Sequence, residues 1–313
     1  MGRRSEWKRS SFFIIWVLLL WAVKSSLAPP LSNAATLFPV KTELVSIFTS
    51  DGVRLDGAFY TPEKAPIKPR VGILFIHGYA GNFYTSVQAF LPKAMAERGY
   101  PSLAINTRDH DKGPKTSLFE QSRLDIEVMV KFLRDKGYSE VVLVGHSMGT
   151  NRVLFYQAEA QDPYVKAVVW LAGPGNLFEW NARVFGRAKA EADLKEAIHL
   201  LEIGRGDELM LVDLGPLGKA LYTPRHLVGL RGPATKSDPF QNVARVHRPL
   251  LIVQGTADRL VDIRVAQQLE EKATKSSKVD LVFIEGADHQ FTRHQEKLIK
   301  TLYNWLTRVF PAE

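Results

Sequence analysis

Ser147 stands at the centre of Gly145-His146-Ser147-Met148-Gly149, which joins the apolar run 141–144 to a stretch with helical patterning from Thr150 onward. A strand that reverses sharply into a helix brings the positions two residues either side of the serine so close that side chains would clash there. Glycine avoids the clash. Such a turn lifts the serine oxygen clear of the backbone and aims the first amides of the helix at the space above it. A serine placed this way becomes a nucleophile when a base takes its proton. Two later stretches supply the partners. In 249–262, PLLIVQGTADRLVD, an apolar run ends at Gly255 and Asp258 follows; in 279–291, VDLVFIEGADHQF, a second run ends at Gly286 and His289 follows. GxSxG alone is a modest signal, and the strand before it, the helix after it and these two partners give it weight.

The elements that must position them are legible as alternating patterns. Residues 43–60 show two alternating runs about Ser50-Asp51-Gly52, which predicts a β-hairpin at a sheet edge. Continuous apolar runs at 71–76, 102–105, 141–144, 167–171, 250–253 and 281–284 predict strands buried on both faces. Helical periodicity covers 86–98, 117–136, 150–161, 264–275 and 293–309. Strands alternating with helices imply a doubly wound, mostly parallel sheet. The pattern breaks between Gly173 and about Gln241, where no strand-like run stands out and only 188–203 reads as a helix.

Four blocks carry a family resemblance: HGYAG at 77–81, GHSMG at 145–149, GTADRLVD at 255–262 and GADHQF at 286–291. With the chain order nucleophile, acid, base, the sequence resembles the α/β-hydrolase superfamily from about Thr42 to Val309. INTRDHDKG at 105–113 is similar to the family's loop after the next strand, with Asn106 and Asp109 departing from its usual form. The resemblance implies an α/β-hydrolase fold over 35–313, a helical cap inserted at about 174–241, and Ser147, Asp258 and His289 as a catalytic triad. It also implies an oxyanion hole made by the backbone amides of Met148 and Tyr79, with Gly78 and Gly81 letting the second loop fold back.

Other candidates have plainer readings. His146 adjoins Ser147 on a tight turn and points away from it, His77 braces the oxyanion loop, and His294 competes with His289 from a helix start. Asp109, His110 and Asp111 share one short loop without a distant partner ligand, so a solvated turn is expected there rather than a metal site. Asp262 reads as a helix cap and Asp288 as a loop-stabilising carboxylate. In the expected cap, Leu177, Phe178, Trp180, Phe185 and the run Leu209–Val212 could wall a substrate pocket or form the cap's own core.

The implied activity is hydrolysis of a carboxylic ester through an acyl-enzyme without a cofactor, on a small-molecule substrate with an apolar group, charged esters being disfavoured. An acyltransferase using the same triad and a non-catalytic binding protein on the same fold are the alternatives.

The chain has 313 residues and is 45% hydrophobic, enough for one large core. Its first 34 residues read as a secretory signal: Arg3, Arg4, Lys8 and Arg9 precede an apolar run, and Ser32-Asn33-Ala34 precedes Ala35. The apolar core at 11–23 would span about 20 Å as a helix against about 30 Å of hydrocarbon, so export to a periplasmic or extracellular space is expected over an uncleaved membrane anchor. Membrane contact would be confined to that segment. It also carries half of the formal net charge of +8, and the remaining mild excess, without an aromatic and basic stripe, does not point to nucleic acid. The absence of cysteine excludes disulfides and thiolate chemistry.

Overall fold

The computed structural model describes residues 37–63 and 71–311. The expected signal at 1–34, with its apolar core at 11–23, lies outside the described residues. Among the described residues, no helix is long and apolar enough to cross a membrane.

The alternating runs at the start form β1 (Val40–Phe48) and β2 (Arg54–Pro62), an antiparallel hairpin turning at Asp51-Gly52. The continuous apolar runs become β3 (Val71–Ile76), β4 (Ser102–Ile105), β5 (Glu140–His146) and β6 (Val165–Leu171). Two short strands follow, β7 (Met210–Asp213) and β8 (Lys219–Tyr222), and then β9 (Leu250–Gly255) and β10 (Val279–Ile284). The main sheet has the order β1-β2-β4-β3-β5-β6-β9-β10 and is parallel from β4 to β10. Its register aligns Ala104, Phe75, Val144, Val169 and Leu251 in one row across five strands.

Successive residues of these strands feed opposite faces, as the pleat requires. One face packs on α2 (Ser122–Asp135), α3 (Met148–Ala160) and α8 (Ile263–Lys272); the other packs on α1 (Leu91–Ala96) and α9 (Gln295–Val309). Each fully buried Val, Leu or Ile contributes about 1.5–3 kcal/mol, and this two-sided core holds the strand ends still. β10 departs from the expectation of burial on both faces: it is the edge strand, only Ile284 is buried and Phe283 is exposed.

The stretch between β6 and β9 is richer than its sequence pattern. It holds α4 (Leu177–Phe185), α5 (Arg187–Glu202), the β7–β8 hairpin, α6 (Pro224–Arg231) and α7 (Pro239–Val243). The expectation of no strand here is corrected, because two four-residue strands give too few alternations to read. Met210, Val212, Ala220 and Tyr222 form a small core with Ala197 and Leu227, while Leu211 on the opposite face is 60% exposed. Lys115 stitches this hairpin to the 105–113 loop: its backbone pairs with Leu221 and Thr223, and its Nζ donates to the carbonyls of Asp109, His110 and Asp111.

A tight backbone approach joins α3 to β3. A Cβ on Gly149 would lie 2.3 Å from the Ile76 carbonyl oxygen, whereas one on Gly113 would meet nothing within 4 Å. Gly149→Ala is expected to destabilise the fold by about 2 kcal/mol or more, and Gly113→Ala by less than about 0.5 kcal/mol, in chemical denaturation.

Candidate active site

β5 passes into α3 through a single residue, Ser147, which takes φ 52° and ψ −129°. Such a conformation stores of order 1–3 kcal/mol and persists because packing enforces it. The crowding is backbone on backbone. A Cβ on Gly145 would come within 2.6 Å of the Gly149 carbonyl, and one on Gly78 would lie 2.8 Å from the Ser147 Cβ. Positions 145 and 149 therefore abut as the sequence implied, and Gly149 has the further reason that β3 ends against it. The loop after β3 and the start of α3 meet at Ser147. Among the described residues, neither the Tyr79 nor the Met148 amide donates to a backbone carbonyl. Both residues line the cavity at Ser147.

The structure brings Ser147, His289 and Asp258 together from three strand ends. His289 Nε2 lies 3.0 Å from Ser147 Oγ, and its Nδ1 lies 2.8 Å from Asp258 Oδ2. With Nδ1–H donating to the carboxylate, Nε2 is left to accept from the serine hydroxyl. Asp258 Oδ1 accepts from the amides of Leu260 (2.8 Å) and Val261 (2.9 Å), and Oδ2 also accepts from Gln254 Nε2 at 3.0 Å. Burial raises the Asp258 pKa, but the bond and charge of His289, with the Val261 and Gln254 donors, outweigh it and leave the carboxyl below its ordinary value. Gln254 escaped the sequence reading, although a glutamine inside an apolar strand run was a signal. The two loops are tied together where the Ala257 amide donates to the Ala287 carbonyl at 2.9 Å.

Two buried histidines brace this arrangement. His77 Nε2 accepts from the Thr107 amide at 3.0 Å, leaving Nδ1–H to donate to the Gly78 carbonyl at 2.7 Å. His146 bonds through Nε2 to the His289 carbonyl at 2.9 Å. It thus holds the backbone of the residue whose ring faces Ser147. Burial, reinforced by Arg152 for His77 and by His289 for His146, lowers both pKa values to about 3.

The remaining candidates sit elsewhere. His294 Nδ1 lies 3.0 Å from the Thr292 carbonyl, Asp262 caps α8 through the Arg264 amide, and Asp288 accepts from the amides of Gln290 and Thr292. In the 105–113 loop, Asn106 Oδ1 accepts from the Phe83 amide, Asp109 accepts from the Ser117 hydroxyl, and His110 pairs with Asp111. Arg108 anchors that loop to Asp51 and Asp125.

A cleft of about 360 Å³ opens over Ser147 and His289, bordered by Trp180, Leu217, Lys219 and Lys112. A smaller void of about 30 Å³ continues from Ser147 between Met148, Leu177, Leu214, Leu230 and Arg231. Of the expected pocket residues, Leu177 and Trp180 are at the site. Phe178 is not: it borders a separate cavity with Asn176 and Glu179. Three residues along α4 return to one face, and one residue turns about 100° away from it. Leu209–Val212 does not wall the pocket either; Met210 and Val212 enter the small core shared with Ala197 and Leu227, and Leu209 and Leu211 face outward. The hairpin reaches the cleft instead through Leu217, Lys219 and Ala220.

The buried histidines set an acid dependence. Each has a folded pKa of about 3 against about 6.5 when unfolded, so the unfolded chain binds the extra protons. Stability is therefore full above about pH 6.5 and falls as pH drops toward about 3, by up to about 1.4 kcal/mol per pH unit for each histidine. Urea denaturation of His146→Gln between pH 4 and 6 is expected to show a slope shallower than wild type by about that amount.

The sequence model described as the alpha/beta hydrolase family matches residues 73–298. Among curated proteins nothing matches the chain. An esterase from Pyrococcus furiosus is similar at 20% identity over 86% of this chain and 92% of its own, with a TM-score of 0.61. Est1E from Butyrivibrio proteoclasticus is similar at 17% identity over 85% and 98%, with a TM-score of 0.62. The esterase domain of a Rhodothermus marinus protein is similar at 21% identity over 86% and 98%, with a TM-score of 0.59. At such identities the likeness is one of fold. The family match runs from β3 into α9 and includes all three strand ends that converge on the cleft, and the chain belongs to the alpha/beta hydrolase family.

Proposed function

We propose that this protein is a serine hydrolase that cleaves carboxylic esters through an acyl-enzyme on Ser147. The observation that carries the reading is the continuous hydrogen-bonded chain from Ser147 through His289 to Asp258, with Ser147 and His289 lining the cleft. His289 Nε2 takes the hydroxyl proton as Ser147 Oγ bonds to the ester carbonyl carbon. Asp258 steadies the resulting imidazolium, and the amides of Tyr79 and Met148 donate to the oxyanion, each such donor being worth about 3–4 kcal/mol. Collapse breaks the bond to the leaving oxygen, which takes the proton back from His289. Water then repeats the two steps on the acyl-enzyme and restores Ser147.

The substrate in this reading is a small ester with an apolar part that fits against Leu177, Leu214 and Leu217. The esterases among the structural neighbours support an ester over other acyl derivatives. The proposal extends to location: the N-terminal pattern supports export with cleavage after Ala34.

A fluorophosphonate probe is expected to label Ser147, and Ser147→Ala to abolish the label. Turnover of p-nitrophenyl esters of graded chain length is expected to fall by about four orders of magnitude in Ser147→Ala and His289→Ala; no turnover of any ester by wild type, with no label, removes the assignment. Mass spectrometry of the full-length gene product recovered from an expressing cell should find Ala35 at the amino terminus, and a retained Met1 with residues 2–34 removes the cleavage proposal.

A further inference from the structure

Among the described residues, one buried cation beside Ser147 has side-chain nitrogens without a hydrogen-bond partner. Arg108 pairs with Asp51 and Asp125, and Lys115 donates to three carbonyls. Arg231, the last residue of α6, is 6% exposed, yet its Nε and Nη1 have no hydrogen-bond partner among the described residues. Its guanidinium carbon lies 5.6 Å from the centre of the Tyr222 ring. Burying an ion costs several kcal/mol unless an opposite charge or a set of hydrogen bonds offsets it. A ligand that brings such a charge would meet an arginine already desolvated.

The position of Arg231 says which ligand. It lines the void that starts at Ser147 and Met148, and that void carries no Asp or Glu. The cleft beyond adds Lys112 and Lys219, again without an acidic side chain. Glu179 and Asp238 border the cavity on the far side of Arg231, but Glu179 pairs with Arg187, and Asp238 accepts from Asn176 and caps α7. His289, which must reach the leaving oxygen, borders the cleft and not the small void. A leaving alcohol held in the cleft beside His289 directs the acyl group toward the void that Arg231 lines.

We propose that Arg231 determines specificity by pairing with a carboxylate at the far end of the substrate's acyl group, so that the preferred substrates are half-esters of short dicarboxylic acids. This rests on the ester-hydrolase reading, deepens its substrate class, and reverses the sequence expectation that charged esters are disfavoured. Leu177, Leu214 and Leu230 flank the path of the methylene chain, which requires the void of about 30 Å³ to widen on binding, and the planar guanidinium matches a planar carboxylate.

The test compares monomethyl glutarate with methyl pentanoate, which have acyl chains of matched length, by methanol release. Wild type should favour the glutarate half-ester in kcat/KM by at least about tenfold. Arg231→Met should bring the ratio to one or below, and Arg231→Lys should keep part of it. The melting temperature separates this from a structural role: Arg231→Met removes an unpaired buried charge and should not lower it. A wild-type ratio at or below one, or a ratio that Arg231→Met leaves unchanged, overturns the proposal while methyl pentanoate turnover keeps the esterase reading. If neither ester is turned over the proposal falls, and fluorophosphonate labelling of Ser147 then decides whether the esterase reading falls with it.

Discussion

The site depends on three backbone segments approaching closer than any side chain would allow. Gly78, Gly145 and Gly149 let the loop after β3, the end of β5 and the start of α3 share one small volume, and Ser147 is forced to positive φ at its centre. That constraint sets the serine side chain at the strand end, beside the loop after β3 and the start of α3. In the proposed reaction, donors fixed in advance would cost nothing to reorient, which gives the strain a chemical use. The sheet beneath supplies the rigidity. Its parallel strands end on one edge, and five of them are clamped in a common row from Ala104 to Leu251 between helices on both faces.

Electrostatic roles are divided among the groups by burial. His77 and His146 are held neutral because water cannot reach them, so each keeps a fixed hydrogen-bond pattern and acts as a strut. Asp258 is buried too, but four donors converge on its two oxygens and keep it ionised. The charge that orients His289 is thus anchored by the backbone of its own loop and by Gln254. One imidazole faces the serine, and the neighbouring histidine grips that residue's carbonyl.

Much of this was legible in the sequence because each reacting residue follows an apolar run and a glycine. Apolar runs ending in glycine, with the chain order that resembles the α/β-hydrolases, placed Ser147, Asp258 and His289 on one sheet edge, and Asp262 read as a cap from its place before a helix. What stayed hidden depends on contacts between distant positions. His146 meets the carbonyl of His289, 143 positions away, and no local pattern encodes that pairing. Phe178 failed as a pocket residue for a local reason, since helix phase separates it from Leu177 and Trp180, and the anchor of that phase is the Asn176 cap of α4. The β7–β8 hairpin is too short for its alternation to register, yet it supplies Lys219 and Ala220 to the cleft.

Arg231 shows why substrate preference is harder to read than mechanism. In the sequence it ends PRHLVGLR, where a basic residue in the last turn of a helix is an ordinary complement to the helix dipole and is expected to face water. In the structure Arg231 is buried instead, while Thr235 and Ser237 bond to the carbonyls of Gly229 and Leu230 and close the helix end. No local pattern in the helix encodes that burial, which brings Arg231 against the Tyr222 ring of the β7–β8 hairpin and beside Ser147. Ser147, Asp258 and His289 sit at strand ends, which leave little freedom, while the proposed selectivity of Arg231 rests on the stretch between β6 and β9, where polar turns close the helix ends. Changes in those turns would alter the surroundings of Arg231 without disturbing the strand ends.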